Sequence, residues 1–418
     1  MRKTIFGCLG VAAVAFALHF TQAYVVAGLF STCRPCDEVA PCDDVACSTP
    51  CDAVCGTKAG KWFLHGHLEA GFFANGHGKT NNYLGTPIVP GNSALLQNTK
   101  LTSGQINQTY VSVGKSVDGK RGLDIGGTVD FIWGTDAFAA QTAGLEYNTG
   151  HGGRWDSGDY ASAFAQAYAE IAYKRWNVKA GKFYAPFTSS SFKSTDNFFY
   201  SWASTRAIAP IVVGGAYATY AVNDKLTVLG GWVTPGEIGE TSEHNDVLGG
   251  FIWTPGKRLT VQYAFAAGKN KNDALAPATP YDEFVQSLIM TTKIGTKLTY
   301  VFDWTLLNVN TDTPFHAAAY GLNNEIIYQH NKKWAFGTRF GMLNANNDLI
   351  TANGYLPATS QFTVVNGDWY TVGLGANWTP NKWLTVKPEV RYDWSEDGTP
   401  FNGSSYQTSG GLSAVVKF

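Results

Sequence analysis

Cysteine is missing from Gly56 to Phe418; all seven lie in the first 55 residues. The larger part of the chain therefore holds no disulfide and no thiolate metal site. Charge is scarce as well, at 15% of residues and a net −1, which gives no electrostatic case for a nucleic-acid partner. Hydrophobic residues reach 44%, yet after residue 30 they are dispersed and never form the run of about eighteen that a transmembrane helix requires. Nothing from residue 56 to 418 has the composition of a linker, so that length reads as one large domain. Catalytic signatures are missing too. There is no Gly-x-Ser-x-Gly elbow, and the eight His residues are scattered. Gly78-Lys79-Thr80 resembles a phosphate loop only in part, because Phe73 stands where the first Gly belongs. The expectation is a protein that is not an enzyme and has no cofactor.

The N-terminus, by contrast, reads as an export signal. Arg2 and Lys3 precede an apolar stretch from Ile5 to Phe20, and small-residue cleavage sites end at Ala23 or Ala27. Cys8 lies too close to the start to be a lipoprotein cysteine. Residues 1–27 are thus expected to be the signal and 28–60 a cysteine-rich periplasmic leader. Six cysteines remain there, Cys33, Cys36, Cys42, Cys47, Cys51 and Cys55, an even number that favours disulfides in an exported segment. Cys33-x-x-Cys36 has the spacing of a metal pair, but no second pair and no nearby His completes a site.

From residue 61 onward, segments of about ten residues alternate apolar and polar side chains. They fall at 61–73, 105–116, 121–133, 162–173, 175–184, 210–222, 225–234, 246–254, 258–268, 283–294, 297–308, 317–329, 333–344, 367–379, 382–394 and 405–418. The resulting fold class is all-β: a transmembrane antiparallel up-and-down β-barrel of about sixteen strands, within a range of fourteen to eighteen. Connections alternate between short turns, such as Asn223-Asp224 and Gly295-Thr296, and long loops, often of ten to thirty residues, rich in Asn, Thr, Gly and Ser. That alternation is the asymmetry of bacterial outer-membrane barrels, and it puts both termini on the periplasmic, short-turn side.

The two faces differ in chemistry. In 382–394, Leu384, Val386, Val390, Tyr392 and Trp394 oppose Lys387, Glu389, Arg391 and Asp393. A lipid-facing Lys or Arg costs about 2–4 kcal/mol at mid-depth, so the charged row must line a hydrated, spacious interior. The same logic makes His65, His67, Glu69, Asp130, Asp303 and Arg339 lumen-lining. His65, His67 and Glu69 share one face with a spacing that can bind a transition metal, although such a row more often lines a wet lumen. Tryptophans 133, 176, 232, 253, 334, 378 and 383 stand near strand ends, as an interfacial girdle requires. The last strand carries Leu412, Ala414, Val416 and Phe418 on one face. It suits a strand that meets lipid, closes against the first and is read by the barrel-assembly machinery.

These features, with Gly181-Lys182-Phe183, Asn197, Tyr200-Ser201, Pro210 and Gly214-Gly215-Ala216-Tyr217, resemble the OmpL-like β-barrel porin family over about 61–418. The Pro-Glu-Phe-Gly-Gly segment of general porins is missing. The resemblance implies an outer-membrane channel for passive diffusion of small hydrophilic solutes or ions, a homotrimer by analogy, and a third long loop folded into the lumen. Here that loop is 185–209, with Phe192, Lys193, Asp196, Tyr200, Trp202 and Arg206 as the candidate constriction. Its aromatics either pack on the inner wall or form a sliding surface for sugars. Setting aside Arg2, Lys3, Arg34 and the five leader acids leaves 28 bases against 27 acids, so ion selectivity should be weak. The alternative is a structural or adhesive barrel whose loops 74–104, 134–161 and 345–366 bind a partner.

Overall fold

In Leu384–Ser395, accessibility alternates residue by residue: Thr385, Lys387, Glu389, Arg391, Asp393 and Ser395 are buried, and the residues between them are partly or fully exposed. A strand with such a period has one face toward an interior and one away from it. Sixteen strands of this kind build the molecule, a computed structural model that describes residues 62–76, 104–148, 152–153, 155–157, 160–235, 245–272, 279–311, 316–346, 367–398, 401 and 404–418. The leader cysteines and the export signal lie outside the described residues.

The strands are β1 (Trp62–Asn75), β2 (Gln105–Lys115), β3 (Leu123–Gly134), β4 (Ala161–Tyr173), β5 (Trp176–Tyr184), β6 (Val212–Ala221), β7 (Leu226–Pro235) and β8 (Asp246–Trp253), followed by β9 (Leu259–Asn272), β10 (Thr279–Ile294), β11 (Leu298–Thr311), β12 (His316–Gln329), β13 (Trp334–Asn346), β14 (Gly367–Asn381), β15 (Leu384–Ser395) and β16 (Tyr406–Lys417). Each pairs antiparallel with its sequence neighbours, and β16 pairs with β1 to close the ring. Closure leaves this sheet without an edge strand; beside it the described residues hold one small two-stranded sheet, Tyr147–Asn148 with Gly152–Gly153. Phe418 extends the seam, exchanging backbone hydrogen bonds with Gly66 at 2.9 and 3.0 Å. Leu412 and Phe418 are exposed on the outer surface, whereas Ser413 and Val415 are buried within.

Three of the short turns share one device. Asn223, Asn331 and Asn381 each accept, through Oδ1, the backbone N–H groups two and three residues ahead, at 2.8–3.1 Å. An Asn at that place satisfies the donors a tight turn strands, which explains its recurrence. At the opposite rim two connections are shorter than expected, 273–278 and 312–315, because β9 to β12 run to 14, 16, 14 and 14 residues. Period-two alternation fades into polar residues at the strand ends, so those ends read as loop.

The outer face is apolar with aromatic ends. Trp176, Trp253, Trp334, Trp378 and Trp383 are exposed near the short-turn rim and Trp232 near the other; Trp133 is half-buried against Tyr160. The inner face departs from expectation in two ways. Toward the long-loop rim it is apolar, with Val233, Leu248, Val285, Leu307 and Leu343 in one buried cluster. It is also not open: the segment between β5 and β6 lies inside the barrel.

Candidate functional site

The segment Ala185–Ile211 is bonded to the inner wall at points around the ring. Asp303 on β11 holds one end, its Oδ2 accepting from Ser189 N (2.7 Å), Ser189 Oγ (2.8 Å), Thr205 Oγ1 (2.9 Å) and Thr188 Oγ1 (3.0 Å). On β3, Asp130 Oδ2 stands 3.4 Å from Lys193 Nζ. Strands β3 and β11 are eight places apart in a ring of sixteen, so the two anchors face each other across the interior. The loop crosses the lumen.

Between these ends the wall supplies acceptors where the loop offers N–H and O–H groups, and cations where it offers carbonyls. Glu389 accepts from Ser201 N (2.8 Å) and Ser201 Oγ (2.5 Å). Lys387 donates to Ser194 O (2.5 Å) and Asn197 O (2.7 Å). Arg339 donates to Ser201 O (2.9 Å) and Trp202 O (3.1 Å), and also holds Glu325 at 2.8 Å. Arg391 grips Asp393 at 2.7 Å and donates to Ser201 Oγ at 3.1 Å. Such pairing is required because an irregular segment off the water must satisfy its backbone groups locally. Charged partners serve best, since hydrogen bonds to ions are about twice as strong as neutral ones.

Glycine makes room for this packing. A Cβ on Gly337 would come within 2.4 Å of the Phe198 ring, one on Gly375 within 3.1 Å of Phe199, and one on Gly341 within 2.5 Å of Ser204 Oγ. Gly337 and Gly375 face each other across β13 and β14, forming a bare patch on which the two phenylalanines rest. Arg339 stacks over Phe199 at 4.2 Å.

Of the residues expected at a constriction, two have accessible side chains. Lys193 is 17% exposed and stands over the Tyr110 ring at 5.1 Å. Asp196 is half-buried, bonded by Thr195 Oγ1 (2.8 Å) and Ser191 Oγ (3.2 Å). The others are footing, not surface. Phe192 and Trp202 are buried in one cluster, and Tyr200 stacks on Phe73 at 4.9 Å and accepts from Asn107 at 2.8 Å. Arg206 is buried, stacked on Trp202 at 4.5 Å and donating to the Ser190 carbonyl. The loop aromatics therefore pack on the wall and make no sliding surface, apart from the half-exposed Phe198.

The lumen row needs a correction as well. His67, Glu69, Asp130, Asp303, Arg339, Lys387, Glu389, Arg391 and Asp393 all point inward, yet each is buried under the loop or its neighbours and not bathed in water. Only His65 of the ten is half-exposed. His67 bonds Gln108 (2.8 Å) and stacks on Tyr110, while Glu69 accepts from Ser413 (3.0 Å). Gln108 and Asn107 were not expected at the site, although Gln108 donates to Phe192 O at 2.8 Å and accepts from Ser194 N at 3.1 Å. Gln108 shares the inward parity of Tyr110 and Ser112, the single available hint; Asn107 does not, and it turns inward because a β-bulge there puts two successive residues on the buried side.

Residues 63–418 match the family described as "Putative beta-barrel porin-2, OmpL-like". The chain belongs to this family. No curated protein matches the sequence. Among solved structures, the barrel is similar to an anion-selective porin from Comamonas acidovorans (9% identity, TM-score 0.56, covering 86% of this chain and 99% of that one). It is similar also to the outer membrane channel DcaP of Acinetobacter baumannii (11% identity, TM-score 0.56, 86% and 98%). A third likeness is to OmpT of Vibrio cholerae in its trimer form (12% identity, TM-score 0.53, 86% and 100%). At such identities the likeness is one of fold. Together with the family it makes this chain an outer-membrane β-barrel channel of the porin type.

Proposed function

We propose that the protein passes small hydrophilic solutes or ions by passive diffusion, through a lumen narrowed by loop 185–211. The observation that carries this reading is the crossing itself: one loop tied to Asp303 on β11 and to Asp130 on β3 divides the ring. Lys193, Asp196, Ser191 and Thr195 form its accessible polar side and are the residues a permeant would meet. Both signs of charge sit there, and the barrel's bases and acids nearly balance, so weak discrimination between anions and cations is expected. The buried row beneath the loop acts as its support. Residues 1–27 direct export, 28–60 form a disulfide-linked periplasmic leader, the short-turn rim with both termini faces the periplasm, and the barrels associate as a homotrimer.

Purified protein in planar lipid bilayers tests the channel. Stepwise conductance of a hydrated pore is expected. A silent bilayer from protein with intact β-sheet circular dichroism would contradict it and favour an adhesive barrel.

A further inference from the structure

Immediately after β3, the chain forms a second folded segment, Thr135–Glu146, that begins with a short 3-10 turn over Asp136–Ala140. It ends on a buried ion pair. Lys182 Nζ lies 2.8 and 3.0 Å from the two Glu146 carboxylate oxygens and donates to Ala140 O at 2.7 Å, so all three ammonium protons are placed. Glu146 is saturated in the same way, accepting from Phe164 N (2.9 Å), Thr142 N (2.9 Å) and Thr142 Oγ1 (2.8 Å). Burying two charges is costly unless every lone pair and proton finds a partner. The chain meets that condition here in full, 1% and 0% exposed.

The pair's position is its significance. Lys182 is three residues before Ala185, where the lumen loop departs from β5; Phe164 belongs to β4; Ala140 belongs to the 3-10 turn. One ion pair thus joins two wall strands to the segment at the root of the loop. Nearer its start, the same segment meets the loop through Gln108 of β2 and by packing. Gln108 Nε2 donates to both Asp136 Oδ2 (2.7 Å) and Phe192 O (2.8 Å), and Ala137 and Ala140 pack in one buried cluster with Phe192 and Trp202.

We infer that Thr135–Glu146 is an internal clamp that fixes the lumen loop in place, with Glu146 and Lys182 as its fastening. Both are positioning residues; neither needs to touch a permeant. Only the clamp's effect on current rests on the reading of the loop as a constriction.

The test is hydrogen–deuterium exchange of the folded, full barrel in detergent, read peptide by peptide, beside single-channel recording of the same preparations. In Glu146→Gln and in Lys182→Met, amides of 187–202 are expected to exchange more than tenfold faster while those of β9–β14 stay unchanged, and open-state current noise is expected to rise. The double variant leaves no unpaired buried charge and should fold at least as well as either single one, yet it still lacks the fastening, so faster exchange confined to 187–202 is expected from it too, and it carries the test if a single variant fails to fold. Unchanged exchange over 187–202 in a folded barrel would overturn the clamp, and so would a uniform rise across the barrel. Faster loop exchange with unaltered current would leave the clamp standing and sink the constriction.

Discussion

A single carboxylate, Asp303, takes four donors from the loop, and a single bare position, Gly337, leaves space for a phenyl ring. These two residues show how a wall strand can carry instructions for a distant segment. Asp303→Ala strands the N–H of Ser189 and three hydroxyls at a partly buried place, and it should cost about 2–4 kcal/mol of barrel stability, read from denaturant unfolding in micelles. A loss below the error of that measurement would show that the loop is held elsewhere. Gly337→Val places methyl groups where Phe198 sits. The pair Phe198–Phe199 should lift off the wall and become a chymotrypsin cleavage site in the folded barrel; protection equal to the unaltered protein would contradict this packing. Neither role is legible from sequence. Asp303 reads as one inward acid, Gly337 as one weak strand residue, and their partners lie about a hundred residues away or more.

Strands are a different matter, because their pattern is local. β15 alternates so strictly that its two faces separate by inspection, and Val390, 57% exposed, lies on the outer one. Val390→Arg should therefore destabilise the barrel by about 2–4 kcal/mol in lipid vesicles, whereas a cost near zero would mean that the outer face meets water. The same local logic placed all sixteen strands and their turns. It failed where chemistry repeats on both faces. Val285, Leu307 and Leu343 point inward yet have the hydropathy of the outer row, so the apolar part of the lumen could not be foreseen. The aromatic richness of 187–202 fits a loop packed on the wall as well as a sliding surface, and the charged row of β15 reads as a wet surface although it is buried. An inward charge is consistent either with water or with a backbone carbonyl to hold, and only the fold distinguishes them.

At the scale of the whole molecule, the barrel is a hydrophobic cylinder whose interior is divided by one of its own loops. Wall charges that would be ruinous on the outside are used inside to bind loop backbone, while Ser191, Lys193, Thr195 and Asp196 keep partly accessible polar side chains. On the proposed function, conductance should depend on this one contiguous piece of chain. The most direct measurement is the single-channel conductance of the protein with 187–202 deleted, compared with the intact protein in the same bilayer and salt. The deletion is expected to raise the conductance of each open step, with the barrel still folded by circular dichroism. Equal steps from the two proteins would show that this loop does not narrow the path and would contradict the account.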